Sequence, residues 1–259
     1  MARAGSVPTR IAMWSGPRNI STAMMRSFGA RADCSVSDEP FYAAYLAATG
    51  LDHPMREVVI ASQPTDWRVV AAALTGPVPS GKAVWYQKHM THHMLPSFGL
   101  EWSAELVNAF LIRAPEAVLA SYAQKREAPF SLAEIGLPAQ VELFERTAER
   151  LGAPPPVIEG QDVLADPPGA LRALCAACGV AFDPEMLAWP PGRRASDGVW
   201  APVWYDAVER STGFARARDE IPFDDLPDSL KAIAESARPL YERLARHKLA
   251  PISSGRAPA

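Results

Sequence analysis

A chain of 259 residues with 48% apolar and 21% charged side chains can bury the core of one large α/β domain. Its formal net charge of −3 carries no basic footprint for DNA or RNA, so an anionic ligand has to be held by local cations. No run approaches the roughly 20 apolar residues of a membrane span, and the opening MARAGSVPTR lacks the apolar stretch of a secretory signal.

In chain order, Ile11–Trp14 reads as a buried strand and Ser21–Gly29 as a helix, with the turn GPRNI between them. Such a turn leaves backbone N–H groups unpaired at the head of a helix, where the dipole adds partial positive charge and Arg18 a full one. This is an anion cradle. It departs from the nucleoside-triphosphate pattern, because Ile20 stands where a glycine is expected and no lysine follows. A second strand over Ser35–Ser37 leads through Asp38 and Glu39 into a helix over Phe41–Ala48, and a helix over Trp67–Leu74 comes next. The Asp-Glu pair before Pro40 also reads as a simple helix cap.

A third strand, Ala83–Gln87, delivers Lys88 and His89 to its end, followed by His92 and His93. The histidine spacing also admits a metal reading or a surface one, but no acidic partner accompanies it. After a predicted helix over Ala104–Val107, the fourth strand, Ala109–Ile112, ends in Arg113 rather than the aspartate that would hold Mg²⁺. Pro115 suits the first position of a helix over Pro115–Lys125, which places Ser121 about 9 Å along its axis from the Arg113 end. Arg113 and Ser121 offer forked donors and a hydroxyl to a second phosphate, although either alone also fits an ordinary surface role.

Further helices are predicted over Gln140–Leu151 and Leu230–His247, with a possible fifth strand at Val157–Glu159. Strands alternating with helices point to a parallel sheet flanked by helices on both faces, with ligands at the carboxyl ends of the strands. Cys175 and Cys178 read as buried thiols on one helix face. With Cys34 they indicate a reducing compartment and a cytoplasmic protein. The proline-rich stretch Pro190–Tyr205 carries Arg193 and Arg194 beside Trp189, Trp200 and Trp204. It reads either as a ligand-closing loop or as a surface loop with aromatic anchors. Tyr205, Ser211 and Thr212 are candidates for a substrate pocket. One domain is expected over residues 1–259, with disordered tails near 1–8 and 252–259.

PRNIST (Pro17–Thr22) and RAPEAVLAS (Arg113–Ser121) together resemble the two signatures of sulfotransferases that use 3′-phosphoadenosine-5′-phosphosulfate. The resemblance covers roughly residues 10–125 and implies that family's P-loop nucleotide-binding fold. It implies that Pro17, Arg18, Asn19, Ile20, Ser21 and Thr22 bind the 5′-phosphosulfate and that Arg113 and Ser121 hold the 3′-phosphate. By the same likeness Glu39 is the base, Arg18 the cation at the leaving oxygen, and Lys88 or His89 a group at the sulfuryl or acceptor. Arg193 and Arg194 would close over the nucleotide. A carboxylate facing an apolar pocket would have a raised pKa, which suits the base role.

The expected activity is metal-independent transfer of a sulfuryl group from the phosphosulfate nucleotide to a hydroxyl or amine of a small acceptor, with the 3′,5′-bisphosphate nucleotide as product. Neither nucleic acid nor membrane is expected as a partner. Two alternatives stand beside it: a phosphotransferase or nucleotide hydrolase with a degenerate loop, and a relative that binds the nucleotide without catalysis.

Overall fold

The structure, a computed structural model, describes residues 7–123, 131–216 and 221–252. Among them five parallel strands, β1 (Thr9–Ser15), β2 (Cys34–Asp38), β3 (Val84–Met90), β4 (Val107–Ile112) and β5 (Val157–Glu159), form one sheet in the order β2-β3-β1-β4-β5. Between β1 and β3 lie helices α1 (Ser21–Gly29), α2 (Tyr42–Thr49), α3 (Arg56–Ser62) and α4 (Trp67–Thr75). After β4 come α5 (Pro115–Ala123) and α6 (Leu137–Leu151). Past β5 follow α7 (Gly160–Ala165), α8 (Pro167–Ala177), α9 (Ala201–Trp204), α10 (Asp206–Glu209) and α11 (Asp228–Ala245).

The sheet is buried on both faces, as parallel sheets are, because successive strand residues point to opposite sides. Ala12, Trp14, Phe110 and Ile112 pack with α4, α5, α6 and α11. Ile11, Met13, Ala109 and Leu111 pack with α1 and α8. Later residues join both layers: Val157 and Leu230 enter the first, Ala170 and Trp200 the second.

The chain leaves β1 toward β2 and leaves β4 toward β5, although β1 and β4 are hydrogen-bonded neighbours. The connections leaving their carboxyl ends therefore diverge, which opens the crevice where such sheets bind ligands.

The parallel α/β expectation is met, and the predicted strands and most helices form near their expected places. Ala104–Val107 is different. Residues Glu101–Glu105 make a 3₁₀ turn, and Val107 opens β4 by pairing with Ile11. Helix α3 was not foreseen: its start at Met55 has no polar cap, and Val59 is its one buried residue, so it carries little sequence signal. Lys125 and the expected disordered tails, apart from residues 7, 8 and 252, lie outside the described residues.

Candidate active site

A cleft of about 450 Å³ opens at the carboxyl ends of the strands. One end is built by the turn between β1 and α1. Gly16 allows it: a Cβ there would stand 2.6 Å from the Ile135 carbonyl oxygen. Arg18 and Ile20 both take positive φ, 63° and 54°, which bends the chain so that α1 begins without a side-chain cap. The first intrahelical bond runs from Met24 N–H to the Ile20 carbonyl at 3.1 Å, so the amides of Ser21, Thr22 and Ala23 have no intrahelical partner. Alternating backbone hands of this kind make an anion-binding nest.

Arg18 bridges this turn to α5, its Nε donating to Ser121 Oγ at 3.0 Å. Arg113 donates from Nη1 to the Arg18 carbonyl at 2.9 Å. Arg18, Ser21, Thr22, Arg113 and Ser121 all line the one cleft. Burial lowers the Arg18 pKa from its ordinary value, yet a guanidinium remains charged at neutral pH. Asn19 also lines the cleft, but its amide nitrogen donates to the Leu111 carbonyl at 3.2 Å and so ties the turn to β4.

The other end is organised around a buried ammonium. Lys88 sits opposite Asp38 in the β2–β3 register. Its Nζ lies 2.8 Å from Asp38 Oδ1, 2.5 Å from Glu39 Oε1 and 2.7 Å from the Tyr205 hydroxyl. An ammonium has three hydrogens, and all three are engaged. Lys88 therefore acts through its neighbours rather than as a donor to a ligand. Tyr205 donates in turn to Asp38 at 2.8 Å, and Asp38 Oδ2 accepts from the Gly198 amide at 3.0 Å.

Burial raises the Glu39 carboxyl above its ordinary pKa, and the Lys88 charge only partly offsets this. Burial works against the Lys88 ammonium, but Asp38 and Glu39 outweigh it and raise that group well above its ordinary value. Glu39 also holds a positive φ of 42°. Among the described residues five non-glycine positions do so, and Arg18, Ile20 and Glu39 are three of them. Backbone strain of about 1–3 kcal/mol per residue gathers where a site needs it, and these three all line the cleft.

Three expected site residues are not brought here. His89 points to the opposite face of β3 from Lys88, because neighbouring strand residues alternate. It stacks on Trp14 with ring centroids 4.3 Å apart, and burial lowers its pKa to about 3. His89 is a core residue. Arg193 pairs with Glu209 at 3.1 Å on the surface, and Arg194 donates to the Pro190 carbonyl at 2.7 Å. Both are held by local partners and neither lines the cleft, whereas Arg216 does.

Sequence reasoning also missed Asp38, Tyr42 and His53, whereas Trp204, of the candidate ligand-closing loop, does line the cleft. Tyr42 and Tyr45 stand three apart at the start of a helix, a readable sign of one face. The singleton His53 gave no such sign. Of the pocket candidates, Tyr205 and Ser211 line the cleft. The thiols of Cys175 and Cys178 are free and buried, and burial pushes them up to about 11 and about 12, which excludes a reactive pair. Among the described residues no group of three or more histidines, cysteines or carboxylates is placed to hold a metal. No described helix is long and apolar enough to cross a membrane.

The family model described as a sulfotransferase domain matches residues 9–247. Two curated relatives from Arabidopsis thaliana, named branched-chain-amino-acid aminotransferase-like proteins 1 and 2, are 36% and 34% identical over 93% of this chain. The chain spans only 42% and 43% of their lengths. Among solved structures, the sulfotransferase domain of the Synechococcus PCC 7002 olefin synthase aligns with a TM-score of 0.56 at 19% identity, covering 95% of this chain and 98% of that one. The sulfotransferase domain of the curacin biosynthetic pathway aligns at 0.54 and 16% identity, covering 90% and 99%. These two likenesses speak to the fold.

Proposed function

The chain belongs to the sulfotransferase domain family, and on that premise we propose that it transfers a sulfuryl group from 3′-phosphoadenosine-5′-phosphosulfate to a hydroxyl or amine of a small acceptor. The observation that carries this reading is the meeting of both signatures in one cleft. The uncapped amides at the head of α1 and Arg18 suit the 5′-phosphosulfate, while Arg113 and Ser121 stand beside them for a second phosphate. Arg216 is the late cation that could close over the nucleotide, in the role expected of Arg193 and Arg194.

In this mechanism Glu39 takes the proton of the acceptor hydroxyl. The acceptor oxygen bonds to sulfur while the bond from sulfur to the bridging phosphate oxygen breaks. The 3′,5′-bisphosphate nucleotide leaves with the electron pair, and Arg18 balances the charge that builds on its oxygen. Lys88, Asp38 and Tyr205 position Glu39 and set its proton affinity. No metal step is required, because the cations that face the phosphates are side chains. The three buried thiols accord with a cytoplasmic setting.

The direct test is a thermal-shift titration with the bisphosphate nucleotide and with ATP, each with and without Mg²⁺. The bisphosphate should stabilise the protein independently of Mg²⁺. Arg113→Ala should weaken it about 30-fold while barely changing the analogue that lacks the 3′-phosphate, in line with roughly 1.5–3 kcal/mol for a hydrogen bond to a charged group. Stabilisation by ATP that needs Mg²⁺ would favour phosphoryl transfer instead. Equal loss for both nucleotides would remove the 3′-phosphate role of Arg113.

A further inference from the structure

Arg26 belongs to α1, the helix whose first amides face the cleft, yet its side chain does not line the cleft and is only 4% exposed. A guanidinium keeps its charge inside a protein, so burying one costs heavily unless a partner is fixed beside it. That partner is Asp197, 171 residues further along the chain. Arg26 Nη1 and Nη2 donate to its two carboxylate oxygens at 2.5 and 2.7 Å, and both side chains are buried. Asp197 Oδ2 also accepts from the Arg194 amide at 2.8 Å. A planar fork on a carboxylate fixes orientation as well as distance.

What it fixes is the chain just past Asp197. The next amide, that of Gly198, donates to Asp38 Oδ2 at 3.0 Å. Gly198 passes so close over the Trp200 indole that a Cβ there would stand 2.1 Å from the ring, and Trp200 Nε1 donates to the Tyr205 hydroxyl at 3.1 Å. Asp38 and Tyr205 are two partners of the Lys88 ammonium, and Glu39 is the third. One set of contacts therefore runs from α1 through Asp197, Gly198 and Asp38 to Lys88 and Glu39. A buried ion pair adds little stability over a well-packed apolar pair. Its directional hold is what an apolar pair would not supply.

We propose that Arg26 and Asp197 are positioning residues for Glu39: their ion pair holds the Gly198 amide on Asp38, and Asp38 so held keeps the Lys88 ammonium against the Glu39 carboxylate. This rests on the reading of Glu39 as the base and adds what sets it in place. The groups that face Glu39 are Asp38 from β2, Lys88 from β3, Tyr42 from α2 and Tyr205 from the edge of α9. Without the Gly198 hydrogen bond, Asp38 is a less compensated negative charge and competes harder for Lys88. Both effects favour the protonated form of Glu39.

Combining Arg26→Gln with Asp197→Asn removes both charges together and leaves no buried ion alone. Carbon-13 NMR of carboxyl-labelled glutamate follows Glu39 directly, its signal assigned by its loss in Glu39→Gln. In the double variant the Glu39 titration should shift to higher pH, while affinity for the bisphosphate nucleotide stays within a few-fold of the native value. Arg26→Lys keeps the charge but not the fork, and should shift the titration the same way by less. A native Glu39 titration in the double variant, with only the thermal midpoint lowered, overturns the proposal and leaves the pair a purely structural role. Where the double variant does not fold, a native titration in Arg26→Lys overturns it equally. The base reading fails separately, if Glu39→Gln turns over the phosphosulfate nucleotide at the native rate, and the NMR titration still decides the role of Arg26 and Asp197.

Discussion

The two ends of the cleft are made differently. The phosphate end is built from contiguous chain: a strand, a bent turn and the amides of α1, joined by Arg113 and Ser121 from the neighbouring strand and helix. Its chemistry is mostly backbone, and its cations come from two short motifs. The proposed acceptor end draws Asp38 from the last position of β2 and Glu39 from just after it, Lys88 from within β3 and His93 from after it, and Trp204 and Tyr205 from α9 and its edge. Its chemistry is side chains brought together by packing. An anion site can be written locally because helix ends and turns supply fixed dipoles. A base with a shifted proton affinity needs burial and neighbouring charge, which are tertiary properties.

Substitutions that act on one end alone test this division. The largest effect belongs to Glu39→Gln, which removes the proposed base and keeps its shape. Turnover should fall on the order of 10²–10⁴-fold while the affinity for the bisphosphate nucleotide stays within a few-fold of the native value. Equal losses in both would show that the two ends are not separable. Because burial raises the Glu39 carboxyl, the acid limb of the native rate profile should lie above the ordinary carboxylate range. Its disappearance in Glu39→Gln would assign that limb.

Glu159, at the end of β5 and outside the cleft, is a control for both ends. Burial pushes its carboxyl up to about 7, although the Tyr241 hydroxyl donates to it at 2.6 Å. A carboxyl whose folded pKa is raised destabilises the fold as pH climbs from its unfolded value, about 4.5, to its folded one, and not below or beyond that window. The native protein should therefore lose about 3 kcal/mol between those limits through this group. Glu159→Gln should flatten that part of the curve in denaturant titrations, and nucleotide affinity should not move.

The smallest effect is expected at Ile20. Its left-handed backbone costs a β-branched residue roughly 1–2 kcal/mol. Its side chain is partly buried and packs against the core layer that holds α1 and α8. In Ile20→Gly the relief of strain should offset most of the lost packing, leaving stability within about 1 kcal/mol, against 2–5 kcal/mol for emptying an ordinary core site. Nucleotide affinity should change little, since the proposed binding groups there are backbone amides. A loss above 3 kcal/mol by chemical denaturation would mean that the turn is not strained.

Much of the phosphate end was legible in the sequence. Pro17–Thr22 gave its turn and helix start, and Arg113 with Ser121 gave the side chains that meet Arg18 in the cleft. Arg193 and Arg194 misled because cationic composition does not reveal which way a loop faces; Glu209 and the Pro190 carbonyl hold them elsewhere. Lys88 and His89 show the limit most sharply. They are adjacent in the chain, yet strand alternation puts one in the cleft and the other against Trp14.

From the sequence alone came the alternation of strands and helices, hence a parallel sheet, and the turn and helix start at the mouth of its first strand. Those follow from local rules of periodicity, capping and turn chemistry. Only the tertiary structure decided that Asp38 would stand across from Lys88, that Tyr205 would close their cluster from 117 residues away in the chain, and that His93 would lie between two tyrosines. Strand register and helix packing set these juxtapositions, and neither is written in any one segment.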